Sequence, residues 1–273
     1  FQAEDGIRDS VASRGLGDVY KRQLCLCFGL LSDSFLSFAS VSTIANQLPT
    51  ALTLAVAITF VLVIGEIDLS VGSVLAVSQG VMGIAMVQLG WSWPVAIGAA
   101  LATGLLAGTI NGFIVLRWQL PSFIVTLGMM EAARGGAYLV TDSRTVYIGT
   151  DIEWIAEVSW LGLSPPFLCA MLLVAIGQTA LSRTIFGRYA IAIGTNQEAV
   201  RLAGIDTGRI KLSIFALSGL LAGLAGVMQV SRLASADPNA GIGFELSAIA
   251  AAVIGGTRLM LSLIHICRCR RAI

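Results

Sequence analysis

The stretch Ala51-Leu52-Thr53-Leu54-Ala55-Val56-Ala57-Ile58-Thr59-Phe60-Val61-Leu62-Val63-Ile64-Gly65-Glu66-Ile67-Asp68-Leu69-Ser70-Val71-Gly72-Ser73 decides the fold. Ala51 to Ile64 is fully apolar yet short, since a membrane-crossing helix needs about 20 mostly apolar residues. It runs into two carboxylates, Glu66 and Asp68, with no basic neighbour in sequence, and apolar sequence then resumes from Val74 to Gly90. A charged side chain at the bilayer centre costs about 2.5–3.5 kcal/mol on insertion scales, so it is usually kept for a purpose. One reading is a helix broken at membrane depth, which is tolerated where it is buried in protein or lines a cavity. The other is a tight cytoplasmic turn in which Asp68 or Ser70 caps the next helix. The two readings are compatible.

Working outward, further apolar runs cover Pro94 to Leu116, Phe123 to Val140, Pro166 to Leu181, Ile210 to Val230 and Phe244 to Met260. Leu24 to Leu31 reads as the end of another span, and Ser32 to Pro49 as an amphipathic interfacial helix. The expectation is an all-α, polytopic transmembrane helix bundle of about seven spans plus a remnant. Composition agrees: 56% of the 273 residues are hydrophobic and 12% are charged, where a soluble domain carries roughly a quarter charged. Gly104/Gly108 and Gly219/Gly223 have the small-xxx-small spacing that lets helix backbones approach closely in lipid. A net charge of +1 offers no basic stripe for nucleic acid.

The ends read differently from the middle. Asp18 to Gln23 can be encoded by GAT GTG TAT AAG AGA CAG, and the reverse complement of that string translates as Leu261 to Ile266. Such complementarity resembles a transposon end used in sequencing-library adapters, and Gln2 to Asp9 also resembles translated adapter. Residues 1–23 and 261–273 are therefore expected to be adapter-derived, with 24–260 a transmembrane domain truncated at both ends. The five cysteines, with His265 the only histidine, form no metal-ligand pattern.

Loop charge sets the orientation. Ser182 to Lys211 carries Arg183, Arg188, Arg201, Arg209 and Lys211, and the positive-inside rule makes it cytoplasmic. Thr141 to Leu163 is acidic, with Asp142, Asp151, Glu153 and Glu157, and one span away it falls outside. Arg117 then lies on the cytoplasmic side, as parity requires.

Two further features could carry chemistry or coupling. Glu131 and Arg134 lie within a span at i,i+3, on one helix face where they can pair. They could contact a polar solute or act as a structural tie, and the tie is favoured. In the cytoplasmic loop, Gly194 to Ile205 holds Asn196 as a natural N-cap, Glu198 at the helix start and Gly204 as a stop. A helix of about two turns is not stable alone in water and needs a docking surface. That surface is a partner, its own bundle or the lipid. No Gly-x-x-x-x-Gly-Lys-Ser/Thr phosphate loop is present, so this chain is not expected to hydrolyse ATP. No nucleophile elbow or His-Glu-x-x-His helix points to an enzyme either.

Gly65 to Ser73 resembles a signature of the ribose-type ABC sugar permeases, within the branched-chain amino-acid permease superfamily. The same family is matched by Asn111-Gly112, by Leu120 to Met130 with Ala133-Arg134-Gly135, and by Gly194 to Ile205. Ser218-Gly219 with Ala222 to Gly226, Ala236-Asp237-Pro238 with Gly241 to Glu245, and Ile254 to Thr257 follow in order. Departures are Glu66, where glycine is frequent, and the loop around Asp151 to Glu157. The resemblance implies a dimer of permeases in a prokaryotic inner membrane, two cytoplasmic ATPase subunits and an extracytoplasmic sugar-binding protein. It implies no cofactor in this chain, ATP being hydrolysed by the partner. By that analogy Asn196, Glu198, Ala199, Arg201, Ala203 and Gly204 form the ATPase-coupling helix. Glu66, Asp68, Ser70, Asn111, Thr126, Glu131 and Arg134 are the candidates for the translocation path or gate. Alternatives are the same class with branched-chain amino acids or nucleosides as cargo, or an ion-coupled secondary transporter. The latter predicts paired broken helices and an inverted repeat, and only one clear break is visible.

Overall fold

A computed structural model describes residues 23, 24, 26–29, 31, 37–149, 152, 154–157 and 162–255. The segments expected to be adapter-derived lie outside the described residues save Gln23, as do Asp151 and Glu153. The chain divides into two compact units, Phe1–Gln47 and Leu48–Ile273. In the first, helix α1 (Phe38–Gln47) leaves Phe38, Val41 and Ile44 exposed at i,i+3 spacing, an apolar stripe fit for an interface.

The second unit is built from α2 (Pro49–Val63), α3 (Val71–Val87), α4 (Trp93–Trp118), α5 (Ser122–Val140), α6 (Trp154–Glu157), α7 (Pro165–Arg183), α8 (Ile185–Leu202), α9 (Thr207–Leu233) and α10 (Phe244–Ile254). Prolines open α2, α4 and α7 in their first turn, where a missing N–H costs nothing. Helices occupy all seven expected apolar runs as far as those runs are described. Among the described residues, α4, α7 and α9 are long and apolar enough to cross a membrane singly. Helices α2, α3 and α10 are shorter, at 15, 17 and 11 residues. At about 1.5 Å per residue α2 and α3 alone fall short of a 30 Å core. Helix α5 has 19 residues but carries Glu131 and Arg134.

The centre is held by backbone contact. Gly104 and Gly108 of α4 pack on Gly219 and Gly223 of α9, and a methyl on Gly108 would lie 2.9 Å from both N and Cα of Gly219. One core cluster joins Leu54 and Ile58 of α2, Val74 and Leu75 of α3, and Ala222 and Ala225 of α9. Hydrophobic burial here is nearly all-round on α3, which makes it the core helix.

A two-stranded antiparallel ribbon pairs β1 (Val146–Tyr147) with β2 (Ser235–Ala236), Val146 opposite Ala236. It brings the ends of α5 and α9 together. The start of α5, which follows Arg117 at the end of α4, and the α8–α9 connection lie at the opposite ends of those helices. The stretch 182–211 is not a loop, however. Thr184 caps α8 by accepting from Gly187 N at 3.1 Å, and α8 runs as a helix to a kink at Asn196 (φ −158°, ψ 92°).

Candidate functional site

The break between α2 and α3 starts at Gly65, whose φ of +79° suits a residue without a Cβ. From there the chain descends into the bundle. Asp68 is buried, 2% exposed. Its Oδ1 accepts from Ser70 N at 2.9 Å and from Ser70 Oγ at 2.6 Å, an Asx turn. Its Oδ2 accepts from Ser218 Oγ of α9 at 2.8 Å. Asn111 Nδ2 of α4 donates to Ser70 Oγ at 3.0 Å. The free backbone N–H groups of the break are met by α5: Ile67 N donates to Ser122 Oγ at 3.1 Å and Leu69 N to Thr126 Oγ1 at 3.2 Å. A non-helical segment buried in apolar surroundings must have its backbone groups satisfied in this way.

Depth follows from α9. Ser218 lies 11 residues past Thr207, about 16 Å along the axis at 1.5 Å per residue, so Asp68 sits well inside the bundle. Ser70 occupies the N-cap position of α3 without a side-chain capping bond, and the Asp68 turn replaces it. Of the two sequence readings, the embedded break describes the Asp68 level. The Glu66 level lies nearer the α8–α9 end: Glu66 Oε1 pairs with Lys211 Nζ on the first turns of α9. Glu66 has no basic neighbour in sequence but has one in space, and Lys211 belongs to the buried interior rather than to a basic loop.

A second interruption was not evident from sequence. Between β2 and α10 the chain dips to the first turn of α3. A methyl on Gly72 would run into Gly241 O and Glu245 Oε2, and one on Gly241 would lie 3.4 Å from Ala76 Cβ. Gln79 Nε2 donates to Asp237 O. The pattern apolar-acid-Leu-Ser occurs at both breaks, as Ile67-Asp68-Leu69-Ser70 and Phe244-Glu245-Leu246-Ser247, and this recurrence is the signal that could have revealed the second.

Glu131 and Arg134 pair on α5 at 3.2 Å, and Arg134 also lies 4.0 Å from Glu245 Oε1 of α10. They form a separate group from Asp68, Ser70, Asn111 and Thr126. The cation therefore ties two helices, yet Glu131 keeps 60% of its side chain exposed. Glu245 Oε2 is buried without a hydrogen-bond partner, as are Ser73 Oγ and Asn111 Oδ1.

Beyond the kink in α8, Asn196 Oδ1 accepts from Ala199 N at 3.1 Å, the geometry of an N-cap. Gly204 (φ +81°) ends the turn. Glu198 and Arg201 pair with each other at 3.1 Å on the open face. Val200 is buried, whereas Ala199, Leu202 and Ala203 are exposed, Leu202 by 80%. Among the described residues no group of three or more His, Cys, Asp or Glu could hold a metal ion.

Apolar helices closed around two embedded polar breaks, with a short helix displayed at one end, define a polytopic membrane protein of the permease type. A family model described as branched-chain amino acid transport system / permease component matches residues 40–265, and the chain belongs to this family of bacterial inner-membrane transport permeases. The ribose import permease protein RbsC of Haemophilus influenzae is 38% identical over 236 residues, covering 85% of this chain and 73% of that protein. The L-arabinose ABC transporter permease protein AraH of Azospirillum brasilense is 38% identical over 208 residues, 76% of this chain and 61% of that protein. The xylose transport system permease protein XylH of Escherichia coli K12 is 37% identical over 288 residues, 83% and 73%. No solved structure matches the chain. Family membership sets aside the ion-coupled reading despite the second break.

Proposed function

We propose that this chain is the membrane-spanning permease subunit of a binding-protein-dependent ABC importer for a simple sugar. The observation that carries the reading is the joint presence of the embedded break around Asp68 and the displayed helix at Asn196–Gly204, in a chain similar to permeases named for ribose, arabinose and xylose. The sugar-named relatives favour a monosaccharide over branched-chain amino acids or nucleosides. ATP hydrolysis belongs to a partner, because no phosphate loop is present.

In this reading the 196–204 helix docks into a cytoplasmic ATPase. Its single buried residue, Val200, anchors it to the bundle, and the exposed apolar Ala199, Leu202 and Ala203 meet the partner. Leu202→Asp is expected to abolish co-purification with the ATPase while leaving the permease monodisperse and with unchanged thermal midpoint. Undiminished co-purification of this variant would remove the docking assignment, and absence of complex with the unaltered permease would remove the ABC reading.

A second copy of the permease is the occupant expected on the α5 face. Glu131 stands at the middle of α5 with open space around Gly128 and Gly135 on the same helix, and a carboxylate there is costly against lipid. A hydrated path between two copies removes that cost. Glu131→Cys in the assembled transporter is expected to react with a charged, water-soluble thiol reagent at a rate within about tenfold of an exposed loop cysteine. Reaction with lipid-soluble reagents alone would place this face in the bilayer.

A further inference from the structure

The Glu66–Lys211 pair joins residues 145 positions apart, and its side chains are 16% and 8% exposed. Around it lies a cavity of about 510 Å³. Glu66 and Lys211 form one wall, Gln197 and Arg201 of the displayed helix another, and Gln119 to Pro121 of the α4–α5 corner a third. Two residues beyond Glu66, Asp68 is bound by Ser218. The break is thus fastened to α9 at two levels, Lys211 and Ser218, which are seven residues and about 10 Å apart along the helix.

The displayed helix connects directly to the same body. After Gly204 the chain reaches Asp206, whose Oδ1 caps α9 by accepting from Gly208 N at 3.1 Å and Arg209 N at 3.2 Å. Arg209 also pairs with Asp206 at 2.8 Å. At the other end of the displayed helix, Gly194 lies against the end of α2: a methyl there would lie 3.3 Å from Ile64 C. Displacement of 197–205 therefore has two routes inward, through the α9 cap and through the end of α2, and both converge on the break.

We propose that Glu66 and Lys211 are positioning residues for transport. They lock the break to α9, so that movement of the displayed helix across the cavity is carried as one rigid-body shift to Asp68, a role that rests on the import reading above. Without the pair, the break and the first turns of α9 part at the Glu66 level. The partner ATPase can then still dock and cycle, but the motion is lost before it reaches the Asp68 level. A pair that only neutralised two buried charges would affect stability and leave the stoichiometry of transport alone.

The test uses the full chain assembled with its ATPase and binding protein in proteoliposomes, with sugar imported per ATP hydrolysed as the readout. Glu66→Gln and Lys211→Met are expected to lower that ratio by about fivefold or more, with ATPase docking retained. The exchanged double variant E66K/K211E is expected to recover at least about half of the lost ratio, because it restores the pair. Single variants that keep the unaltered ratio, or a double variant no better coupled than they are, would overturn the proposal. Should the single variants fail to assemble, the double variant decides alone: coupled import supports the tie and uncoupled import overturns it. Failure of the unaltered complex to import sugar would instead strike at the importer reading itself.

Discussion

Asp68→Ala is expected to cost the permease about 3 kcal/mol or more and to reduce transport to background. Removing the carboxylate deletes three hydrogen bonds in a buried site and leaves Ser70 N and Ser218 Oγ without their acceptor. A buried polar group without a partner costs about 1–3 kcal/mol, and membrane surroundings supply no water in compensation. Asp68→Asn is the informative companion. Its carbonyl oxygen can still accept from Ser70, and Ser218 can turn its hydroxyl to accept from the new amide, so most of the stability is retained. The thermal midpoint of the purified permease in detergent checks both. An alanine variant as stable as the asparagine variant would show that the polar node does not hold the break.

Gly108→Leu is expected to prevent the bundle from assembling. The position leaves no room for even a methyl, which would lie 2.9 Å from Gly219 N and Cα. Those are backbone atoms of a neighbouring helix, so no rotamer change relieves the clash. Overpacking in a core commonly costs about 1–3 kcal/mol, and more where the backbone itself must move. Gly98→Ala on the same helix is the control, since nothing lies within 4 Å of its added methyl. The alanine variant should give the monodisperse peak of the unaltered protein, and the leucine variant should aggregate or fail to accumulate. Equal behaviour of the two would mean that α4 and α9 do not meet through their glycines.

These two sites differ in how far sequence discloses them. Hydropathy runs place every long helix except α8 to within a few residues, because apolar length and the prolines of α2, α4 and α7 are local signals. The cap at Asn196 and the Glu131–Arg134 pair are legible for the same reason: both involve residues three positions apart. Partners distant in sequence are not. Ser218 reads only as part of a small-residue stripe, and Lys211 reads as one more cytoplasmic cation until folding buries it against Glu66. Glu245 likewise gives no sign that Arg134 lies beside it. The first half of α8 is read as loop because Arg188 interrupts its apolar pattern. The second break escapes because its Gly241-Ile242-Gly243 looks like any turn, and depth is a property of the packed bundle. Hydropathy reports apolar sequence, and it does not show that the break between α2 and α3 has its Ile67 and Leu69 N–H groups met by Ser122 and Thr126 of α5.

The import reading is tested most directly by sugar uptake into proteoliposomes that contain the permease with its ATPase, supplied with loaded binding protein outside and ATP inside. The account predicts uptake of a pentose or related monosaccharide that requires both ATP and the binding protein, and that is lost when Leu202→Asp removes the docked ATPase. Uptake that continues without ATP, or that follows an imposed ion gradient, would contradict it.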